Sequence, residues 1–130
     1  MSTEPNLPKL LSLLTKLTSK GQLEWSIAEP PTLATRGTDN VYPLFFETKY
    51  KGQQIGLGQC RYRDYDPDND RHIWDERFVM MFIDRYGRVI WEATQPYSAL
   101  SNLFRTVREK AADVDGILNH LLADDPDGEA

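Results

Sequence analysis

The sequence predicts an α+β domain: an N-terminal helix, a four- or five-stranded antiparallel meander sheet and one or two C-terminal helices. Three observations carry that reading. The densest apolar run is Phe78 to Ile83, followed by Asp84-Arg85-Tyr86-Gly87 and then Arg88-Val89-Ile90-Trp91. This predicts a hairpin, with Gly87 at the positive φ such a loop needs. Even and odd positions of Phe78–Ile83 are both apolar, so the strand is central and covered on both faces. Helical apolar periodicity is confined to the two ends of the chain, and short turn signals separate the strands between them, which gives a meander.

Taken in order, Leu7, Leu10, Leu11, Leu14 and Leu17 form one stripe of an amphipathic helix over about residues 7–20. Asn6 is its cap, Pro8 suits the first turn and Gly21 is the stop. Gln22 to Ala28 alternates Leu23, Trp25 and Ile27 with polar residues, as a strand with one wet face does. Pro30-Pro31 ends it and opens a first long loop to Asn40, read as extended. Val41 to Tyr50 is the next strand, with Tyr42, Leu44, Phe46, Thr48 and Tyr50 on one face. Lys51-Gly52 turns the chain into Gln54–Tyr62, where Gly56, Gly58, Cys60 and Tyr62 share a face. The flat area at the two glycines admits a closely packed ring or helix, a bulge, or a ligand groove.

Arg63 to Asp75 is read as a second long loop, leading into Glu76–Ile83 and then Arg88–Thr94. Pro96 ends the sheet. Ser98 caps a helix with the stripe Leu100, Leu103, Phe104, Val107 and Ala111. Asp113 or Asp115 caps a last helix with Val114, Ile117, Leu118, Leu121 and Leu122, and Gly116 supports a break near 112–116. Both terminal helices need an apolar surface, and the central strand offers one on each face.

The 130 residues suit a single domain over residues 1–123, followed by a disordered acidic tail at 124–130. No run approaches the length of a membrane span, and Met1–Asn6 lacks the features of a signal peptide. The single Cys60 fits a reducing cytoplasm. The net charge of −5 lies mostly in Asp124, Asp125, Asp127 and Glu129. The nearly neutral body argues against nucleic-acid binding.

Asp64-Tyr65-Asp66-Pro67-Asp68-Asn69-Asp70 is the sharpest local pattern. With Asp75, the acids Asp64, Asp66 and Asp68 fall at positions 1, 3, 5 and 12 of a calcium loop. Asn69 stands where that loop has glycine, Asp75 is a methylene short, and Pro-Asp-Asn-Asp is also generic turn composition. Arg61, Arg63 and Arg71 are near enough in sequence to neutralise these acids instead. No metal, cofactor or catalytic residue is assigned. Cys60 and His72 lack ligand spacing, Glu76 with Glu92 is an unremarkable pair in an acid-rich chain, and no phosphate-loop or dinucleotide motif occurs. Trp74, Tyr62 and Tyr65 surround the same segment as the three arginines. Trp, Tyr and Arg dominate protein interfaces. The candidate partner-binding residues are therefore Arg61, Arg63, Tyr65, Arg71 and Trp74. Alternatively, the rings fold back to hold down a long loop.

The segment Leu103 to Leu122, with its Val114-Asp115 junction and the Asp84–Ile90 hairpin before it, resembles the C-terminal parts of small uncharacterised bacterial and mobile-element proteins. The resemblance covers about residues 78–122. It implies an α+β fold and a bacterial source, and transfers no functional residue. A looser likeness, at the level of fold, is to small acidic secretion chaperones. The expected function is a non-enzymatic protein-interaction module of the bacterial cytoplasm, regulatory or inhibitory, with another protein as its partner. Two alternatives remain: a small-ligand or calcium-binding protein using residues 64–75, and a secretion-chaperone-like protein.

Overall fold

The computed structural model describes residues 6–94 and 98–123. The elements run α1 (Asn6–Ser19), β1 (Ser26–Ile27), α2 (Thr32–Thr35), β2 (Val41–Tyr50), β3 (Gln53–Asp66), β4 (Arg71–Ile83), β5 (Val89–Ala93), α3 (Ser98–Ala112) and α4 (Val114–Ala123). The strands form one antiparallel sheet in the order β1-β2-β3-β4-β5, so the α+β meander is observed. No helix among the described residues is long and apolar enough to cross a membrane. The sheet-ending role of Pro96 and the acidic tail fall outside the described residues.

Local chemistry explains most boundaries. The end of α1 closes with paired bonds, Gln22 N–H to Leu17 O at 2.9 Å and Gly21 N–H to Thr18 O at 3.0 Å. These satisfy carbonyls that the last turn leaves open. The β2–β3 turn places Lys51 at φ 51° and Gly52 at φ 82°. Left-handed values at both central residues match the twist of the flanking strands. In the β4–β5 turn, Gly87 takes φ 83°. Asp84 Oδ1 accepts from the N–H groups of Tyr86 and Arg88, both at 2.9 Å. Those bonds and the Arg88 guanidinium hold the Asp84 carboxyl below the usual carboxylate range.

The Phe78–Ile83 half of β4 is covered from both sides. Met80 faces the helix layer while Val79, Met81 and Ile83 face the other way, all at 2% exposure or less. Phe78 and Phe82, in the row of Met80, are only half-buried. Phe82 stacks on Trp91 with ring centroids 4.9 Å apart.

The two terminal helices do not take opposite faces. α1 and α3 lie together on one, where Leu7, Leu11 and Leu14 join Leu100, Leu103, Phe104 and Val107 over Phe46, Ile55, Leu57 and Met80. Side by side, each helix buries its stripe against its neighbour as well as the sheet. The other face holds a smaller core of Phe45, Cys60, Val79, Met81 and Ile83, bordered by Ala28, Ala34, Tyr42, Tyr62 and Val89. Ala28 and Ala34 come from the β1–β2 connection. That connection contains one helical turn, α2, where an extended loop was expected. Pro30-Pro31 restricts the residues before each proline, not those after, so the chain is free to coil from Thr32 onward.

The expected strand over Gln22–Ala28 shrinks to Ser26–Ile27. Leu23 and Trp25 are buried, but Ile27 is 65% exposed at the sheet edge. Tyr42 does not share a face with Leu44 and Phe46. A register shift between Val41 and Leu44, spanning Pro43, turns it to the Phe45 side. There its ring meets Phe45 edge-on, with centroids 5.8 Å apart. Pro43 cannot donate to the ladder, and a bulge is where a strand tolerates it.

Candidate protein-contact surface

The segment read as a second long loop is a β-ribbon. β3 continues to Asp66 and β4 begins at Arg71, paired without a break from Gln54↔Ile83 to Asp66↔Arg71. β2 accompanies β3 only as far as Arg61, and β5 joins β4 only from Met80. Beyond those points neither strand has a further partner strand among the described residues, and the two project as an arm. Tyr62, Tyr65, Ile73 and Trp74 are strong strand formers, which favours extension over coil. Charged residues at alternate positions obscured that preference in the sequence.

The tip, Pro67 to Asp70, is the actual turn. Asp66 serves it directly, accepting from Asp68 N–H at 3.1 Å and Asn69 Nδ2 at 2.6 Å. Asp70 sits at φ 49°, a left-handed value that aspartate tolerates better than most residues. Its carboxylate accepts from the Tyr65 hydroxyl, and this bond raises the Tyr65 phenol above its ordinary pKa.

Residues paired across an antiparallel ladder share a face. Arg61↔Glu76, Arg63↔Trp74 and Tyr65↔His72 therefore form one face, continuous with the helix-covered side of the sheet. Four of the five candidate residues lie on it: Arg61, Arg63, Tyr65 and Trp74. Arg71 does not. It pairs with Asp66 on the opposite face, with Tyr62, Asp64, Ile73, Asp75 and Arg77.

The face is open to solvent, with Trp74 52% and Tyr65 48% exposed. The Arg61 guanidinium lies 6.0 Å from the Trp74 ring centre, and Arg61 Nε is 3.7 Å from Glu76. Arg63 reaches Asp39 in the β1–β2 connection at 3.4 Å. Tyr65 and His72 meet edge-on at 5.5 Å. Such exposed ion pairs are worth under about 1 kcal/mol, so both guanidiniums remain available to a partner. His72 and Glu76 also belong to this face, though the sequence does not single them out as contact residues. Two-residue alternation would have found them had the segment been taken as strand. On the reverse face, Arg77 stacks 4.5 Å over Tyr62, and its Nε has no hydrogen-bond partner among the described residues.

The acids do not converge. Asp64, Asp66 and Asp75 lie along the reverse face while Asp68 is in the turn. From the Asp66–Arg71 rung at the foot of that turn, the arm runs about 13 Å down to Asp75, whereas calcium ligands stand about 2.5 Å from the ion. Among the described residues, no group of three or more His, Cys, Asp or Glu is placed to hold a metal. Cys60 is fully buried, and His72 projects from the other face of the ribbon. Glu92 pairs with Met81, which sets it on the face opposite Glu76.

The glycine face is closed. A Cβ on Gly56 would lie 2.5 Å from Phe45 Cζ, and one on Gly58 would lie 2.7 Å from Tyr42 Cδ2. The two rings occupy the space where a ligand groove was considered. At the other end of the chain α4 has no buried residue, and its stripe of Val114, Ile117, Leu118, Leu121 and Leu122 is exposed. No protein-family model, curated protein or solved structure matches this chain.

Proposed function

We propose that this protein is a non-enzymatic protein-interaction module whose contact surface is the Arg61–Arg63–Tyr65–Trp74 face of the β3–β4 arm. The observation that carries this reading is the arm itself. It projects beyond the flanking strands and presents Trp, Tyr and two Arg on one exposed face. An isolated two-stranded ribbon is marginally stable in water, so it contributes little to the fold that carries it. Trp, Tyr and Arg are the residues that dominate binding energy at interfaces. The partner is another protein.

The rival small-ligand reading is weakened by the rings of Phe45 and Tyr42 over Gly56 and Gly58, and the calcium reading by the spread of the four aspartates. The secretion-chaperone-like alternative rests only on helices packed against an antiparallel sheet, which does not identify a function.

The test is affinity capture from the native host with wild type, Trp74→Ala and Arg61→Ala, each checked by thermal melting. Trp74→Ala is expected to melt within a few degrees of wild type and to weaken binding by about 2 kcal/mol or more. If Trp74→Ala unfolds the domain, or captures the same proteins as wild type, the reading fails.

A further inference from the structure

We propose that a second copy of this chain adds antiparallel to the free edge of β4, with Ile73 on the two-fold axis. This rests on the arm being the contact element and names its partner along the edge. It leaves the Trp74 face open.

Among the described residues, β4 is paired on one side only from Arg71 to Val79, because β5 joins it from Met80. The backbone direction on that edge follows from the next turn. Asp84 N–H donates to Arg88 O at 2.9 Å, toward the β5 side. Direction alternates residue by residue along a strand, and the β3–β4 register is unbroken. His72, Trp74 and Glu76 therefore aim their N–H and C=O groups at the open edge. A second strand can use them.

Symmetry restricts the register. A continuous antiparallel sheet of two identical strands needs a two-fold axis perpendicular to it, passing midway between one residue and its own copy. With Ile73 on the axis, Arg71 faces Asp75 of the second copy, twice over, and His72 faces Trp74. Ile73, itself 36% exposed, faces its mate. Opposite charges and apolar groups placed directly across a ladder are stabilising. Glu76 lies beyond the paired stretch, because Asp70 belongs to the turn and not to β4.

The neighbouring registers lose the ion pairs. With Trp74 at the two-fold, Arg71 faces Arg77; with His72 there, Arg71 faces Ile73. Only the Ile73 register sets Arg71 against Asp75, and the turn Pro67–Asp70 lies beyond the paired residues.

The test uses the full chain in analytical ultracentrifugation at about 100 µM, well above a micromolar dissociation constant. Wild type is expected to sediment as a dimer. Asp75→Arg and Arg71→Asp should each be monomeric while melting as folded proteins, and the double variant Arg71→Asp/Asp75→Arg should dimerise again. Ile73→Cys should oxidise to a linked dimer much faster than Glu76→Cys. Residues on the axis at a non-hydrogen-bonded pair have Cα atoms about 4.5 Å apart, within disulfide range. Monomeric wild type, a double variant that stays monomeric, or equal cross-linking of the two cysteine variants would overturn the proposal. Monomeric wild type that still captures a partner through Trp74 overturns the dimer alone. A dimer whose capture ignores Trp74→Ala supports the dimer and removes the contact-face reading.

Discussion

The ring of Phe45 stands where a side chain at Gly56 would have to be. A Cβ there would also crowd Met81 Cγ at 3.0 Å and Ile83 Cδ1 at 3.1 Å. All three neighbours belong to the smaller core and are buried. Gly56→Ala is therefore expected to destabilise the protein by about 1–3 kcal/mol through overpacking. Urea denaturation measures it, and an alanine as stable as wild type would show that this core has room to spare.

Met80 and Met81 point to opposite faces and are both fully buried. Replacing either with Ala should cost about 2–5 kcal/mol, because each leaves a cavity in a separate core. Phe82→Ala should cost less than the 3–5 kcal/mol or so of a fully buried Phe, since half-burial leaves less surface to lose. The ranking is read from the same denaturation series. A Phe82→Ala loss exceeding both Met variants would contradict the burial pattern.

Burial raises the Tyr42 phenol above its ordinary value, with Cys60 adding to the shift. The folded protein keeps this proton at pH values where the unfolded chain, with a phenol near pKa ~10, has lost it. The resulting stability is fully present below about pH 10 and is lost as pH rises from there toward the folded pKa. Tyr42→Phe should remove this alkaline loss. Wild type should therefore fall in melting temperature relative to Tyr42→Phe above about pH 10, while the difference stays constant below.

Millimolar calcium is expected to leave the melting temperature unchanged, because the turn and ladder hold Asp68 and Asp75 apart. A ligand that binds only the folded state would raise it by mass action. Saturable stabilisation by calcium, abolished in Asp66→Asn, would mean that the arm folds over on itself in solution.

Asp113, at φ 50°, forms the break between α3 and α4. Its carboxylate accepts from Gly116 N–H at 3.3 Å and occupies the space beside Gly116. Gly→Ala inside a helix ordinarily gains about 1 kcal/mol, whereas losing an N-cap costs about 0.5–2 kcal/mol. Gly116→Ala should thus bring no gain in helicity by circular dichroism. An increase would show that the cap is dispensable.

Elements with a strong local signal could be read directly from the sequence. The Leu7–Leu17 stripe, the Lys51-Gly52 and Asp84–Gly87 turns, and the two-faced apolar run at Phe78–Ile83 each reflect periodicity or backbone preference, which act within a few residues. The break near Asp113 belongs with them. Four of the five candidate contact residues share a face because a strand repeats every two residues. That repeat also excludes Arg71, which only a reading of the segment as strand could have shown.

Tertiary structure decided what depends on neighbours distant in sequence. Charged residues masked the strands from Tyr62 to Asp75, and pairing with each other drew them into a ladder. Which face α1 and α3 share followed from the gain of packing two helices side by side. The closure of the glycine face followed from a bulge at Pro43 that turns Tyr42 beside Phe45. Among the described residues, the edge of β4 is open from Arg71 because β3 runs on well past the point where β5 joins β4, and that mismatch shows only once the strands are paired.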